Sequence, residues 1–155
     1  NISFFVENNL NLIWQTGISY QKKAEKSVKE KAVKGINAYT FIEEMDLAYG
    51  AADIIISRAG AIAISELCCI GKPTILIPSP NVSEDHQTKN AQAVVNKKAA
   101  LLVKDNEADS KLVNCLSELI EDARLQYELA KNIKNLAVTD AADKIANEAL
   151  ILSKK

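Results

Sequence analysis

Histidine occurs once in this chain, at His86, and cysteine three times, at Cys68, Cys69 and Cys115. Neither residue type has the spacing of a metal site, and two adjacent cysteines with one distant companion make a poor disulfide framework. That usage fits a reducing, cytosolic compartment, and Cys68 and Cys69, inside a helix-patterned run, are expected to pack in the interior. Positive charge is not in excess either. Nineteen Lys and Arg against 20 Asp and Glu leave a formal net charge of -1, so no basic field marks the chain as a nucleic-acid binder, and any phosphate chemistry has to be local. Long apolar runs are lacking. Thr74-Ile75-Leu76-Ile77-Pro78 is strand-length, far short of the roughly 20 residues that a membrane-spanning helix needs. No charged-then-apolar signal segment opens the sequence, and the basic segment Tyr20–Lys34 has too few large apolar residues for a helix lying on a membrane. The chain reads as soluble or at most peripheral. It contains no internal repeat, no low-complexity tract and no Asp-x-Asp pair of the kind that grips a divalent cation.

What is present is enough apolar material, 48% of 155 residues, to bury one core without staples. Strand patterns at Leu10–Gln15, Val33–Tyr39, Asp53–Ser57, Thr74–Pro78 and Ala100–Val103 are separated by helical ones. The helical runs are Tyr20–Lys31, Phe41–Tyr49, Ala61–Ile70 closed by Gly71, and Gln87–Lys98, and three more follow near Asp109–Asp122, Arg124–Leu136 and Asp140–Leu152. Pro78 to Asp85 is a breaker-rich loop. Regular alternation predicts an α/β domain with a parallel, doubly wound sheet, whose ligands lie beyond the carboxyl ends of the strands. The loops after Ile56 and after Ile77 fall at that edge.

The first of these loops carries the clearest chemistry. Ser57-Arg58-Ala59-Gly60-Ala61 joins a strand to a helix through a small, basic turn, and a helix start offers unpaired N–H groups and the positive end of a dipole to an anion. A turn and a helix cap would also select a glycine and an exposed arginine. About two turns in stands Glu66, whose carboxylate could accept from two neighbouring sugar hydroxyls or be an ordinary polar residue on an amphipathic helix. The combination suggests a nucleotide sugar.

Several separated motifs occur in one order: Phe41-Ile42-Glu43-Glu44-Met45, then Ala52-Asp53-Ile54-Ile55-Ile56-Ser57-Arg58-Ala59-Gly60-Ala61, Ser65-Glu66, Gly71-Lys72-Pro73 and Asp85-His86-Gln87-Thr88-Lys89-Asn90-Ala91. This order resembles the C-terminal half of the MurG transferases, bacterial enzymes of glycosyltransferase family 28 in which two Rossmann-like domains face each other in the GT-B arrangement. Weaker similarity extends to Leu12-Ile13-Trp14-Gln15-Thr16-Gly17 and to the segment from Asp140 to Ala146. The resemblance implies an inverting transfer of GlcNAc from UDP-GlcNAc to a lipid-linked muramoyl-pentapeptide in peptidoglycan synthesis, at the cytoplasmic face of the membrane. By the same resemblance Phe41 and Ile42 border the uracil, one with its aromatic face and the other with a backbone group; apart from the resemblance both read as core residues at the start of a helix. Arg58 and the backbone of Ala59, Gly60 and Ala61 face the diphosphate, and Glu66 holds the ribose. His86, Gln87 and Asn90 lie in the segment that contacts the GlcNAc ring, Asn90 bonding either the sugar or the loop backbone. No catalytic base is assigned, and His86 fits a structural or sugar-contacting role better than that of a base. No cofactor is implied, although magnesium could accompany the nucleotide.

The resemblance also implies what this chain departs from. Family members have an acceptor domain before this half, and the half itself opens with a strand and a glycine-rich phosphate loop, whereas Asn1-Ile2-Ser3-Phe4-Phe5 reads as the helix just after that loop. Residues 1–155 are thus expected to be a single, N-terminally truncated donor-binding domain, inactive alone, with exposed sheet edges through which it could self-associate. Two alternatives stand beside this reading. One is another GT-B half, such as the catalytic part of the split eukaryotic GlcNAc transferase or a glycolipid synthase, from which the Asp85–Asn90 loop distinguishes it. The other is a non-catalytic nucleotide-binding or scaffold module.

Overall fold

The computed structural model describes residues 2–31, 35–80 and 85–153. Its elements follow the order α1 (Ile2–Glu7), β1 (Leu12–Gln15), α2 (Gln21–Lys31), β2 (Ile36–Tyr39), α3 (Met45–Ala51), β3 (Ile55–Ser57), α4 (Ala61–Ile70), β4 (Thr74–Leu76), α5 (His86–Val95), β5 (Leu101–Leu102), a 3-10 turn at Asp105–Glu107, α6 (Ala108–Glu121), α7 (Ala123–Lys134) and α8 (Ala141–Leu152). Alternation of strand and helix is as expected, and every described strand pairing is parallel. Several ends differ from expectation. The strands are shorter, β3 starting at Ile55 and β5 holding only Leu101 and Leu102. Val33 and Lys34, and Asn81 to Glu84 of the breaker-rich loop, lie outside the described residues. The run Phe41–Tyr49 is not helical from its start: α3 begins at Met45, and residues 41–44 form the turn that leads into it.

The described strands form two ladders, β1-β2 and β3-β4-β5. Register runs Leu12 to Ile36 through Gln15 to Tyr39 in the first, and Ile55 to Thr74 and Ile75 to Leu101 in the second. Among the described residues β1 bonds only β2, and β3 only β4, so each leaves one edge open.

Period-two alternation along the second ladder sorts its side chains between two cores. Ile55 and Leu76 enter a cluster with Ala59, Leu67, Cys68, Ala91, Val94 and Ile133, beneath α4 and α5. Ile54, Ile56, Ile75 and Ile77 enter the other, with Leu116, Leu119 and Leu129 of α6 and α7 and with Phe4 and Phe5 of α1. Because β4 is covered on both faces, its three residues are all buried, and it reads in sequence as an unbroken apolar run. Helices lie on both sides of the β3-β4-β5 ladder, the doubly wound arrangement. Gly71 closes α4 in the left-handed region (φ 73), its N–H donating to Leu67 O at 2.9 Å. A side chain there would be strained and would meet Lys134, whose ammonium donates to the Cys69 carbonyl. Cys69 is exposed, against the expectation that both adjacent cysteines are interior; successive helix positions point about 100° apart, and only Cys68 faces the core. Every residue of α8 is exposed, including Ile145, Leu150, Ile151 and Leu152.

Candidate functional site

Parallel pairing puts the carboxyl ends of all strands in a ladder at one edge, and the sequence-predicted residues sit on the segments leaving that edge. The turn Ser57–Gly60 follows β3 directly. Its Arg58 reaches sideways along the edge: Nη1 donates to Ile77 O at 3.3 Å, just past β4, and pairs with Asp105, just past β5. The guanidinium thus spans the three strand ends while staying more than half exposed, with its remaining N–H groups available to an anion.

Ala59 is fully buried, and its peptide is held by α5. Gln87 Oε1 accepts from Ala59 N at 3.2 Å and from Ser79 N at 2.8 Å, and Asn90 Nδ2 donates to Ala59 O at 3.2 Å. Positions 87 and 90, three apart, share one helix face, so a single face of α5 fixes the loops after β3 and β4. Asn90 thus makes the loop-backbone bond, one of the two roles open to it in sequence. Gln87 has its acceptor oxygen committed to the protein and keeps its amide Nε2 to offer a ligand.

Beyond Ala59, α4 starts from Gly60, and the first N–H of the helix with an intrahelical acceptor is that of Ile64, bonded to Gly60 O at 2.9 Å. The preceding N–H groups are therefore the anion-binding set that any helix start presents. Gly60 itself has an ordinary φ of -65, and a Cβ built on it meets nothing within 4 Å. Neither the backbone nor the packing of the protein demands glycine here. The space it leaves open lies at the helix start, where small residues let an anion approach main-chain N–H groups.

Glu66 is exposed on α4, about 7.5 Å along the axis from Ala61 by the helical rise of five residues. Its Oε2 accepts from the phenol of Tyr49 on α3 at 3.1 Å. Partial burial of the ring, and then the bond to and charge of Glu66, push the Tyr49 phenol up to about 12. Burial likewise raises the Cys68 and Cys115 thiols, Cys69 adding to the first and Glu118 to the second, which keeps both protonated and poor nucleophiles.

Phe41 is 69% exposed and Ile42 half-buried, so the two are not the paired core residues that a helix start would make of them. The turn that carries them is pinned by Gln15 at the end of β1, whose Oε1 accepts from Ile42 N at 2.8 Å. Gly17 N and Thr16 N donate to Thr40 O and Tyr39 O, continuing the ladder into the turn. With its N–H engaged by Gln15, Ile42 has its carbonyl as the backbone group left open. His86 is the exposed first residue of α5, after Asp85 in the left-handed region (φ 54).

Three residues of this constellation were not singled out from sequence: Gln15, Tyr49 and Asp105. Gln15 ends β1 and Asp105 lies just past β5, carboxyl-end positions that could have flagged them. Tyr49 gives no such signal, being an aromatic at helical spacing among apolar neighbours. Among the described residues no three His, Cys, Asp or Glu side chains come together as a metal-holding group.

Comparison with known proteins gives a consistent answer. The Glycosyltransferase family 28 C-terminal domain matches residues 2–145. The chain is 48% identical over 148 residues to the UDP-N-acetylglucosamine--N-acetylmuramyl-(pentapeptide) pyrophosphoryl-undecaprenol N-acetylglucosamine transferase of Bacteroides fragilis, covering 95% of the chain and 39% of that protein. It is 46% identical over 152 residues to the enzyme of the same name from Flavobacterium psychrophilum, covering 97% of the chain and 40% of the relative. The crystal structure of Acinetobacter baumannii MurG superposes with a TM-score of 0.76 at 28% identity, over 89% of the chain and 40% of that structure. The chain thus spans about two fifths of the length of these relatives. It belongs to glycosyltransferase family 28, and it is the C-terminal domain of that family that its residues build.

Proposed function

We propose that this chain is the donor-binding part of an inverting hexosyltransferase that moves GlcNAc from UDP-GlcNAc to undecaprenyl-pyrophosphoryl-muramoyl-pentapeptide in peptidoglycan synthesis. The observation that carries the reading is the start of α4: open space over Gly60, unpaired helix N–H groups, Arg58 in the turn before them and Glu66 presented from the same helix. The names of the curated relatives supply the donor and acceptor.

On this reading uracil lies against the exposed ring of Phe41 with the Ile42 backbone at its edge, and Glu66 accepts from the ribose diol. The diphosphate meets the α4 N-terminus and Arg58, which stabilise the charge that develops as the bond from the anomeric carbon to the β-phosphate oxygen breaks. The C4 hydroxyl oxygen of the muramoyl acceptor forms the new bond from the opposite face, and its proton passes to a base on the acceptor side. Gln87 Nε2 and His86 face the sugar. Magnesium could accompany the nucleotide, where it would offset the charge of the diphosphate. The acceptor domain carries the membrane contact at the cytoplasmic face, and no described helix of this chain is long and apolar enough to cross a bilayer. The open edges of β1 and β3 are where a further strand, from the rest of the transferase or from a second copy, would pair. A monomeric mass by light scattering at high concentration counts against the second copy.

Calorimetric titration with UDP-GlcNAc, UDP and ADP-glucose tests the reading. Binding of both uridine ligands in preference to ADP-glucose is expected. Equal binding of all three, or none by a chain shown to be folded, contradicts it.

A further inference from the structure

We propose that Tyr49 is a positioning residue for sugar recognition, its phenol holding one oxygen of Glu66 so that the other is presented to the ribose diol. This rests on the donor-binding reading above. An exposed glutamate on a helix samples several rotamers, and ordering it costs conformational entropy whenever a ligand has to do so. Here the ordering is done in advance. The Tyr49 hydroxyl donates to Glu66 Oε2 at 3.1 Å, a bond from a neutral donor to a charged acceptor, while the Tyr49 ring packs against the cluster of Leu67, Cys68 and Ala91. The ring fixes the hydroxyl and the hydroxyl fixes the carboxylate. A carboxylate has about four acceptor positions, and the single bond from Tyr49 leaves Oε1 free for the sugar.

The bond also joins parts of the fold that share no strand pairing. Tyr49 lies on the helix that follows β2, and Glu66 on the one that follows β3. The turn proposed for the base leads directly into α3, and the turn proposed for the diphosphate directly into α4. Tyr49 therefore ties the base-reading part to the part that holds ribose and phosphate.

The test separates positioning from packing. UDP and 2′-deoxy-UDP are titrated into the wild-type chain, Tyr49→Phe and Glu66→Gln, with urea unfolding of each. The wild type is expected to prefer UDP, Glu66→Gln to lose most of that preference, and Tyr49→Phe to reduce it about fivefold, the equivalent of one hydrogen bond, with its unfolding midpoint nearly unchanged. If Glu66→Gln loses the preference while Tyr49→Phe keeps it, or weakens both ligands equally, the positioning role is overturned and the donor-binding reading stands. If the wild type shows no preference, or Glu66→Gln retains it, the ribose assignment fails and the inference fails with it.

Discussion

Gln15 and Ile42, twenty-seven residues apart, are joined by a 2.8 Å hydrogen bond from the Ile42 backbone N–H to the Gln15 side-chain oxygen. One residue ends the first strand and the other lies in the turn after the second, so the bond sets the path by which Phe41 comes to be exposed instead of buried. Gln15→Ala is expected to weaken UDP binding by about 0.5–1.5 kcal/mol through loss of that bond, and to change the urea midpoint little because the site is exposed. Unchanged UDP affinity in the variant would show that the turn is fixed by the ladder alone.

Gly60 makes a sharper prediction, since the fold does not require glycine there and the proposed diphosphate contact does. Gly60→Ala meets no atom and needs no unusual backbone angle. The gain from a less flexible unfolded chain and the loss of a preferred capping residue are each of order 1 kcal/mol or less and opposed, leaving stability within about 1 kcal/mol of wild type. On the proposed reading the methyl would nevertheless stand where the diphosphate approaches. Retained stability with strongly reduced UDP affinity is the expected pair of results; full affinity would remove the phosphate from this turn.

Gln87 shows the reverse pattern. Its oxygen is the acceptor for the N–H groups of Ala59 and Ser79, and Ala59 is fully buried. Gln87→Ala should therefore cost about 1–3 kcal/mol of folding stability by orphaning those donors, and should weaken UDP and UDP-GlcNAc together because both loops loosen. Gln87→Glu keeps the acceptor and should recover most of the stability in urea unfolding. A loss confined to UDP-GlcNAc, with normal stability, would return Gln87 to a purely sugar-reading role.

Arg58 is braced by Ile77 O and Asp105 but remains more than half exposed, so its ion pair contributes about 0–1 kcal/mol to stability. Arg58→Ala should leave the fold intact and weaken UDP by about 1.5–3 kcal/mol, as loss of a charged hydrogen bond does, with uridine unaffected. The penalty should shrink as salt is raised. An equal loss for uridine and UDP would contradict a diphosphate contact.

Much of this was legible in the sequence for a local reason. Ile54 to Ile70 announces strand, turn and helix because an apolar run, a small-residue turn and a closing glycine each act on their own neighbours. Glu66 was legible as a residue but not as a held carboxylate, because its partner Tyr49 is seventeen positions away on another helix. Arg58 and Asp105, forty-seven apart, meet only once β3, β4 and β5 lie side by side. The helix placed at Phe41 begins at Met45 instead, since the Ile42 N–H is drawn to Gln15 and the Thr40 carbonyl to Gly17. Propensity is a weak prior against such tertiary bonds. Gln87 and Asn90 stand out in the sequence as polar residues on one segment, but whether they face ligand or backbone depends on where α5 docks, which no local pattern states.

On the proposed reading, uridine diphosphate lies along the carboxyl edge from the Phe41 turn to the start of α4. The most direct test is titration of the isotopically labelled chain with UDP, following backbone amide resonances. The largest shifts are expected at Phe41, Ile42, Gly60, Ala61, Ile62 and Glu66, with α6 and α8 unmoved. Shifts centred on α6, α7 or α8, or none in a chain whose spectrum is that of a folded protein, would contradict it.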